Sequence, residues 1–577
     1  MENNMISITS TEQYRNRIFI TIAIASAACL IIVAQLVRWQ IIEHEAFVKL
    51  ASQQHQREII LKPRRGNIYD SVGHLLAADT IQYEISASPN LISDPHGTAK
   101  LLNQLLGISG DKLYHALISE RLWVLISRSA TREVGEQLLN EDIVGLTITP
   151  HPKRAYPEGK LAAHLLGFVN YNHNGFHGIE GYYDRILHGV DGRQFGEHGP
   201  FGDVIPLGQF EVIPPTQGAD LYLTLDRTIQ HIITDELSQA IERYEAKSGT
   251  IIVMNPNTGA VLASVSLPTF NPNMYEETSE DIISGHSVRK VYEPGSVFKI
   301  ITIAAALDSK LVSPETRVHD RGSVEIGGRT IYNSDRQAHG TVDMTTILAK
   351  SLNVGTAQIA AYMGAKRYYN YVQRFGFGRL TEVDLDMEEH GTLKTPMDNT
   401  WHESDLATNS FGQGIAVTPI QMVTAVSAIA NDGILLKPHV VQKIISYDEP
   451  KLIEIKPQIV RRAVSIDTAQ TLTIMLADAL EISESKALLP GYRIAGKTGT
   501  AEIPIAGGYH PNLTITSFVG YFPIDEPQVV VLIILDSPKT SKWGATTAAP
   551  VFKFVAERLI RAMEIPPDAV RLAVQEE

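Results

Sequence analysis

The sequence of 577 residues contains a single cysteine, Cys29, which lies in an apolar stretch near the N-terminus. The rest of the chain therefore has no disulfide and no thiol nucleophile. The histidines are scattered, and neither a His-Glu-x-x-His nor a Cys-x-x-Cys pattern occurs, so we expect no metal site and no cofactor. A long basic run is also missing and the formal net charge is −14, which argues against nucleic acid as a partner.

The composition that remains is that of a globular protein. Hydrophobic residues make up 44% of the sequence and charged residues 20%, enough to build a substantial core. The chain is too long for one ordinary domain, and its length predicts two to four.

An uncharged segment, Ile18–Val37, lies near the N-terminus, before the regions predicted to fold as domains. About twenty residues in a helix span the roughly 30 Å of a bilayer core, so the segment is predicted to be a transmembrane anchor over residues 18–37. Arginines flank both ends, so the positive-inside rule does not orient it. A signal peptide cleaved after Ala27 is the alternative, but the apolar run continues well past that residue.

Residues 38–220 are interpreted as a mixed α+β domain without catalytic residues. The segment Asn67–Asp79 is typical of a hairpin with its turn at Ser71–Gly73. A strand is expected at Gln82–Ala87, and helices are expected at Ile41–Arg57, Thr98–Leu106 and Asp111–Leu117.

Residues 221–565 are interpreted as a second α+β domain, followed by a polar tail at 566–577. A helix with one buried face is expected over Asp226–Ala246, because its isoleucines and leucine recur at helical spacing. A hairpin then follows with an Asn-Thr-Gly turn. The further expected elements are strands at Thr516–Phe522 and Gln528–Leu535 and a helix at Thr547–Ala562.

Ser296 and Lys299 lie at the start of an apolar, helix-like run, directly after a Pro-Gly pair. Residues three apart share one face of a helix, so the Lys299 amine can reach the Ser296 hydroxyl and act as its base. Such a Ser-x-x-Lys pair arises by chance roughly twice in a chain this long. Ser483–Lys486 is a second instance, and a helix N-cap is the competing interpretation of Ser296.

Two further short motifs follow in order. Ser351-Leu-Asn353 lies within a predicted helix, Thr345–Met363, and Lys497-Thr-Gly499 begins a predicted strand. The serines are 55 residues apart, and Lys497 follows Ser351 after 146 more. Lys247-Ser-Gly and Ser88-Pro-Asn match single motifs, but only the set that begins at Ser296 has all three in this order.

Together the three motifs resemble those of the penicillin-recognising serine enzymes. The surrounding residues resemble class B penicillin-binding proteins over nearly the whole chain, in the segments Tyr292–Lys299, Lys350–Gly355, Phe411–Gly414, Gly496–Glu502 and the pedestal signature Arg65–Asp70. Arg65, Gly66 and Asp70 are the signature residues. The family usually has an arginine after the aspartate, where this chain has Ser71.

The resemblance implies a fold and a reaction. The fold is α+β: a serine β-lactamase-like transpeptidase domain whose antiparallel sheet is flanked by helices, preceded by a pedestal domain and one transmembrane helix. The implied reaction crosslinks peptidoglycan stem peptides through an acyl-enzyme on Ser296, with release of the terminal D-Ala and inhibition by β-lactams. Neutral Lys299 is the implied base, its pKa lowered by burial and by the charge of Lys497.

The resemblance assigns the other site residues as well. Ser351 relays a proton to the leaving nitrogen, and Asn353 holds the lysine amine and the substrate amide. The backbone N–H groups of Ser296 and Thr500 form the oxyanion hole. Lys497, with the hydroxyls of Thr498 and Thr500 around Gly499, binds the terminal carboxylate of the substrate.

Several alternatives stay open at this point. A D-Ala-D-Ala carboxypeptidase, a β-lactamase and a non-catalytic β-lactam sensor share the fold, although no Glu-x-x-Leu-Asn element of a β-lactamase lies between Glu382 and Asn409. A division or sporulation role is favoured over elongation. The resemblance also implies a polytopic membrane glycan polymerase as partner, residues 1–17 in the cytoplasm and an extracytoplasmic catalytic domain.

Overall fold

The computed structural model describes residues 6–47, 56–197, 210–447 and 451–575. The chain divides into two compact units, which are described separately below. The first consists of Met1–Pro63 and Val190–Thr216, and the second of Arg64–Gly189 and Gln217–Glu577.

The α-helices are numbered along the chain. They are α1 (Ile6–Val37), α2 (Pro95–Leu106), α3 (Gly110–Leu117), α4 (Arg132–Asn140), α5 (Ala163–Leu166), α6 (Gly178–Tyr182), α7 (Asp184–His188), α8 (Arg227–Tyr244) and α9 (Glu280–Ile283). The catalytic half of the chain continues with α10 (Lys299–Asp308), α11 (Met344–Ala349), α12 (Asn353–Met363), α13 (Ala365–Arg374), α14 (Glu403–Asn409), α15 (Pro419–Ala430), α16 (Ile466–Ile482), α17 (Ala548–Ala562) and α18 (Asp568–Gln575). Shorter helical turns lie at Arg38–Ile42, Pro89–Leu91, Pro272–Glu277 and Gly295–Phe298.

The strands are numbered in the same way. They are β1 (Gln56–Leu61), β2 (Ile68–Tyr69), β3 (Leu75–Ala87), β4 (Val124–Ala130), β5 (Leu146–Ala155), β6 (Phe168–Val169), β7 (Gly175–Phe176), β8 (Gly192–Glu197), β9 (Phe210–Ile213), β10 (Asp220–Leu223), β11 (Ser248–Met254) and β12 (Val261–Leu267). They continue with β13 (Val318–Asp320), β14 (Ser323–Ile326), β15 (Arg329–Tyr332), β16 (Gly340–Val342), β17 (Ile434–Leu436), β18 (Val441–Ser446), β19 (Lys451–Glu454), β20 (Ile459–Arg462), β21 (Ala495–Ile505), β22 (Gly508–Phe522) and β23 (Val529–Asp536).

The first unit contains α1 and a small antiparallel sheet of order β1-β8-β9. An apolar stretch, Tyr14–Ile42, has a mean hydropathy of 2.5 with none of it buried, and is long enough to cross a membrane. It includes the predicted span 18–37. The predicted helix Ile41–Arg57 is wrong at its end, because Arg57 lies in β1, and its residues 48–55 fall outside the described part of the chain.

A five-stranded antiparallel sheet of order β12-β11-β23-β22-β21 forms the centre of the second unit. Alternate residues of β23 face opposite sides: Val529, Val531 and Ile533 pack in one hydrophobic core, and Val530 and Leu532 in another. This period of two is that of a strand buried on both faces. Helices α8 and α17 cover one face, and α10, α15 and α16 the other. The predicted antiparallel sheet flanked by helices is confirmed.

A second sheet joins the segment Arg64–Gly189 to the rest of this unit. Its order is β19-β18-β10-β2-β3-β4, and β5 pairs with β3. Strand β10 lies parallel to β2 and antiparallel to β18, so it ties the two halves of the unit together through backbone hydrogen bonds. Helices α2, α3 and α4 bury a separate core against β3. The predicted hairpin at Asn67–Asp79 is confirmed as β2, a turn and the start of β3.

The C-terminal residues are more ordered than a polar tail. Helix α18 lies within the predicted tail 566–577, and its Arg571 is largely buried. The Arg571 guanidinium forms ion pairs with Asp525 and Asp568. This end of the chain is therefore packed against the turn between β22 and β23.

Candidate active site

Ser296 lies in the helical turn Gly295–Phe298, which runs directly into α10. The segment before it is held by backbone hydrogen bonds: the Gly295 N–H donates to the Gly412 carbonyl at 3.0 Å, and Tyr292 and Val417 exchange two bonds of 2.9 Å. Helix α10 is buried along nearly its whole length. The serine is thus presented by a rigid turn on a helix in the centre of the core.

The Lys299 side chain, three residues after Ser296 in the sequence, is completely buried. Its amine donates to the Ser351 carbonyl oxygen at 2.6 Å and to Asn353 Oδ1 at 2.8 Å, and lies 3.2 Å from Ser351 Oγ. The first two oxygens can only accept hydrogen bonds. A neutral amine has two N–H groups and one lone pair, so these two acceptors use both hydrogens and leave the lone pair for a proton.

Both lysines of the site have lowered pKa values. Burial lowers the pKa of Lys299 well below its usual value, and the positive charge of Lys497 lowers it further. Burial also lowers the pKa of Lys497, to about 7. Repulsion between the two cations is mutual, so it favours the state in which one of the two amines is neutral.

Ser351 lies in a break between two helices. Helix α11 ends at Ala349 and α12 begins at Asn353, so the predicted single helix Thr345–Met363 is wrong. Ser351 has a left-handed backbone with φ of +54°, which costs a non-glycine residue about 1–2 kcal/mol. This bend brings both the carbonyl and the hydroxyl of Ser351 to the Lys299 amine.

Asn353 has its amide fixed from both ends. Its Oδ1 accepts from Lys299, and its Nδ2 donates to the Tyr332 carbonyl at 3.1 Å. Since an amide nitrogen carries two hydrogens, one remains for a substrate carbonyl in the cleft.

The first turn of α12 is supported by a buried pair that the sequence analysis did not identify. Asn333 Oδ1 accepts from the Val354 N–H at 3.1 Å, and Asn333 Nδ2 donates to both carboxylate oxygens of Asp320 at 2.8 and 3.0 Å. Helix N-termini lack internal partners for their first N–H groups, so Asn333 satisfies one of them.

Lys497, Thr498, Gly499 and Thr500 lie on β21, the edge strand of the central sheet. The Lys497 amine is nearly buried and donates to the carbonyl and the hydroxyl of Thr498 at 3.2 and 3.3 Å. A Cβ on Gly499 would lie 2.2 Å from Ser517 Oγ and 3.0 Å from the Pro294 carbonyl oxygen, so only glycine fits between the sheet and the Ser296 turn. The Thr500 hydroxyl accepts from the Gly544 N–H at 3.0 Å, which leaves its hydrogen free to donate.

These residues meet at one open cleft of about 730 Å³. Ser296, Ser351, Asn353, Thr498 and Thr500 line it. Lys299 lies beneath it, bonded to Ser351 and Asn353. The structure therefore brings residues of all three motifs, from distant chain segments, to one place.

The pedestal signature residues Arg65, Gly66 and Asp70 lie outside the catalytic cleft, in the segment Arg64–Gly189, where Arg65 and Asp70 are buried. The Arg65 guanidinium pairs with Glu180 at 2.7 Å and with Asp184 at 2.7 Å. A Cβ on Gly66 would lie 1.9 Å from the Ala219 carbonyl oxygen, so the backbones touch here.

Asp70 makes contacts separate from those of Arg65. Its carboxylate accepts from the backbone N–H groups of Val72 and His74, at 3.0 and 2.7 Å, and lies 2.9 Å from the His74 ring. Asp70 therefore stabilises the β2–β3 turn, in which Ser71 takes the place of the family's usual arginine.

Glu293, directly before the Pro-Gly pair, is a second residue that the motifs did not indicate. Its largely buried carboxylate accepts from the Gly414 N–H at 3.1 Å and from the Tyr509 hydroxyl at 3.1 Å. Burial raises the pKa of Glu293. Its position three residues before Ser296 is the one signal in the sequence, because its partners lie 121 and 216 residues away.

The cleft wall opposite β21 carries cations. The Arg336 guanidinium stacks over the Tyr332 ring at 4.4 Å, and the carbonyl of the same tyrosine holds Asn353. Arg329 and Lys350 line the cleft as well. Among these cations, only Lys350 lies in a segment that the sequence analysis identified, Lys350–Gly355.

Both halves of the chain match known protein families. The penicillin binding protein transpeptidase domain matches residues 249–557, and the penicillin-binding protein dimerisation domain matches residues 60–223. The chain is 32% identical to stage V sporulation protein D of Bacillus subtilis over 545 residues, covering 93% of this chain and 84% of that one. It is 28% identical to peptidoglycan D,D-transpeptidase FtsI of Escherichia coli K12 over 574 residues, covering 97% of this chain and 94% of that one.

Solved structures agree with these matches. A peptidoglycan synthetase from Bifidobacterium adolescentis superposes with a TM-score of 0.72 and 26% identity, over 89% of this chain and 98% of that one. Penicillin binding protein 3 of Mycobacterium tuberculosis, complexed with aztreonam, superposes with a TM-score of 0.69 and 27% identity, over 88% of this chain and 98% of that one. The fold and the cleft are those of a penicillin-recognising serine enzyme. Within that class, the chain belongs to the class B penicillin-binding proteins, peptidoglycan D,D-transpeptidases of the division and sporulation type.

Proposed function

We propose that this chain crosslinks peptidoglycan through an acyl-enzyme on Ser296, with Lys299 as its base. The observation that carries the assignment is the environment of Lys299: a fully buried amine bonded to two acceptor-only oxygens, beside the turn that presents Ser296. Burial and the nearby Lys497 charge lower the pKa of this amine, which favours the neutral form that a base requires.

In the first step, Ser296 Oγ attacks the carbonyl carbon of the penultimate D-Ala of a stem peptide. Lys299 takes the hydroxyl proton, a C–O bond forms, and the C–N bond to the terminal D-Ala breaks. The Ser351 hydroxyl, 3.2 Å from the Lys299 amine, passes the proton to the leaving nitrogen. A correctly placed base typically contributes about 10²–10⁴-fold to such a step.

The negative charge that develops on the carbonyl oxygen is stabilised by the backbone N–H groups of Ser296 and Thr500. Strand β21 is an edge strand, so every second residue has backbone groups facing away from its neighbour β22. Close packing of Gly499 under Pro294 holds this edge against the Ser296 turn. One oxyanion donor is typically worth about 10²–10³-fold.

The terminal carboxylate of the substrate binds to the Lys497 amine and to the hydroxyls of Thr498 and Thr500. In the second step, an amine of a neighbouring stem peptide attacks the ester carbon, the C–O bond to Ser296 breaks, and the amine proton returns to Ser296 Oγ through Lys299. A β-lactam acylates the same serine and blocks the second step.

We place residues 1–17 in the cytoplasm and the catalytic domain outside, because crosslinking takes place outside the cytoplasmic membrane. We also propose a polytopic membrane glycan polymerase as its partner, as the family resemblance implies. Residues 38–220 are assigned to the pedestal and residues 221–565 to the transpeptidase domain. Strand β10 lies at the boundary between the two.

The test is labelling of the full chain in detergent with a fluorescent penicillin, followed by peptide mapping. We expect the adduct on Ser296 and no label on Ser296→Ala. Ser88→Ala, which alters the serine of the second Ser-x-Asn sequence, is the control and is expected to label normally. Label that persists on Ser296→Ala would contradict the assignment.

A further inference from the structure

A second cavity, of about 220 Å³, opens beside the catalytic cleft. It lies between β21 at Gly496–Thr498, the end of α11, and the turn Ser483–Lys486 that follows α16. Residues that line both cavities are Ala349, Thr498, Ala545 and Thr546. The second cavity therefore continues the cleft past the Lys497 side, and Ser483, Glu484 and Lys486 at its far end are exposed to solvent.

Acylation of Ser296 makes no use of this space. The leaving D-Ala is the last residue of the donor, and its carboxylate binds at Lys497 and Thr498. The donor chain ends there. The rest of the donor lies on the other side of the scissile bond, toward Asn353 and Tyr332.

The second half-reaction does require space at this end. The incoming amine forms its bond to the same carbon from which the D-Ala nitrogen departed, so it takes the place of that nitrogen. Unlike D-Ala, however, it is attached to a whole stem peptide and its glycan, and this chain must lead away from the cleft.

We propose that the side cavity, defined by Gly496–Thr498 and the turn Ser483–Lys486, is the acceptor subsite for the amine-bearing arm of a second stem peptide. This inference rests on the proposed function. The cavity suits such an arm: it is narrow, it opens to solvent at its far end, and it carries charges of both signs in Glu484, Lys486 and Lys497. A free amino acid as acceptor does not need the side cavity, because it fits within the space vacated by the leaving D-Ala. Only the longer peptide arm of a stem peptide extends into the cavity.

The experiment plugs the cavity from its solvent end with Ser483→Trp. Ile482→Trp is the matched control, because Ile482 is 57% exposed and does not line the cavity. The donor is a synthetic stem pentapeptide. The acceptors are deuterium-labelled free D-alanine, whose incorporation gives a product heavier than the donor, and, in two separate arms, stem tetrapeptides with lysine or meso-diaminopimelate at the third position. Products are quantified by mass spectrometry, and labelling by a fluorescent penicillin reports the acylation of Ser296.

We expect Ser483→Trp to lower transfer to the tetrapeptide by at least about tenfold while transfer to D-alanine stays within about twofold. Ile482→Trp is expected to leave transfer to the tetrapeptides and transfer to D-alanine within about twofold of the wild-type rates. Transfer to both tetrapeptides at the wild-type rate in Ser483→Trp would overturn the proposal. If Ser483→Trp no longer labels with penicillin, Lys486→Trp, which plugs the same opening, decides by the same criteria. Wild-type protein that forms no product with any acceptor would instead refute the proposed function.

Discussion

Lys299 and Arg65 are both completely buried basic side chains, one beneath the catalytic cleft and one in the segment Arg64–Gly189. Arg65 pairs with two carboxylates, Glu180 and Asp184, each at 2.7 Å. Lys299 has three hydrogen-bonding contacts, and among the described residues none of them is a carboxylate. The same kind of burial therefore has opposite consequences: a paired arginine keeps its charge, and an unpaired lysine gives it up.

The chemistry of arginine and of lysine explains why one side chain stays charged and the other becomes neutral. A guanidinium stays protonated in proteins. The Nε and Nη2 groups of Arg65 both lie against Glu180 Oε2, at 2.8 and 2.7 Å. The network extends further, because Glu180 also accepts from Arg154 at 2.7 Å. An ammonium loses its proton readily when it is buried, which a base must do. The comparison assigns stability to one region and chemistry to the other.

Replacing Lys299 tests the chemical half of the comparison and carries the largest expected effect. Lys299→Met keeps the length of the side chain and removes the base, so the second-order rate of acylation by a penicillin is expected to fall by about 10²–10⁴-fold. Lys310→Met, just past the other end of α10, is the control and is expected to react normally. A normal rate in Lys299→Met would show that another group takes the Ser296 proton.

Breaking the arginine network tests the structural half. Glu180→Gln leaves Arg65 and Arg154 without their shared carboxylate, and loss of one partner from a buried pair typically costs about 3–5 kcal/mol in the free energy of unfolding. Urea unfolding measures this loss. Penicillin acylation per folded molecule is expected to stay unchanged, since the network lies outside the cleft.

Glu136→Gln is the matched control for that measurement. Glu136 is half-exposed in its pair with Arg132, and exposed pairs contribute about 0–1 kcal/mol. Equal losses of stability in the two variants would remove the distinction between a buried network and a surface pair. A slower acylation in Glu180→Gln would show instead that the two regions are coupled.

The pH dependence of acylation tests the order in which the two lysines titrate. The reaction needs Lys299 neutral and Lys497 charged, and the pKa of Lys497 is about 7. Raising the pH above that value removes the charge that binds the substrate carboxylate, so the rate is expected to fall by about tenfold per pH unit. On the acid side, the rate falls once Lys299 is protonated.

Lys497→Arg provides the check on this assignment. A guanidinium keeps its charge throughout the range, so the decline above pH 7 is expected to disappear in the variant, whatever its absolute rate. The measurement is the rate of penicillin labelling from pH 5 to 10. A wild-type profile that stays flat above pH 8, or a decline that persists in Lys497→Arg, would contradict the assigned roles.

The central sheet could be predicted from the sequence because its signals are local. Short runs of apolar residues and an Asn-Thr-Gly turn indicate β11, β12 and β23, and helical spacing indicates α8. The site was predicted differently, from three motifs in a fixed order, and it is this order that brought Ser296, Ser351 and Lys497 into one hypothesis.

The parts that were missed depend on partners far away in the chain. Local sequence favours one helix over Thr345–Met363, yet hydrogen bonds from Lys299 hold Ser351 in a left-handed bend, and tertiary contacts override propensity. Glu293 meets Tyr509 across 216 residues. Arg571 turns a polar tail into a packed helix through Asp525. No local pattern contains such contacts.

The bend at Ser351 leads to a smaller effect that separates strain from chemistry. Ser351→Ala and Ser351→Gly both remove the hydroxyl, so both are expected to slow acylation equally. Glycine adopts a φ of +54° without penalty, whereas alanine does not. We therefore expect Ser351→Gly to unfold with a free energy about 1 kcal/mol higher than Ser351→Ala. Equal stabilities in urea would mean that the bend stores no strain.

The smallest expected effect concerns Ser71, where the family usually has an arginine. The Asp70 carboxylate already accepts from two backbone N–H groups and contacts the His74 ring, so an added guanidinium finds its acceptor occupied. Ser71→Arg is therefore expected to change the free energy of unfolding by less than about 0.5 kcal/mol. His74→Ala combined with Ser71→Arg sharpens the test, because removal of the ring frees one carboxylate oxygen. Stabilisation by Ser71→Arg only in that double variant would show that His74 takes the place of the missing arginine, and stabilisation in the single variant would show that it does not.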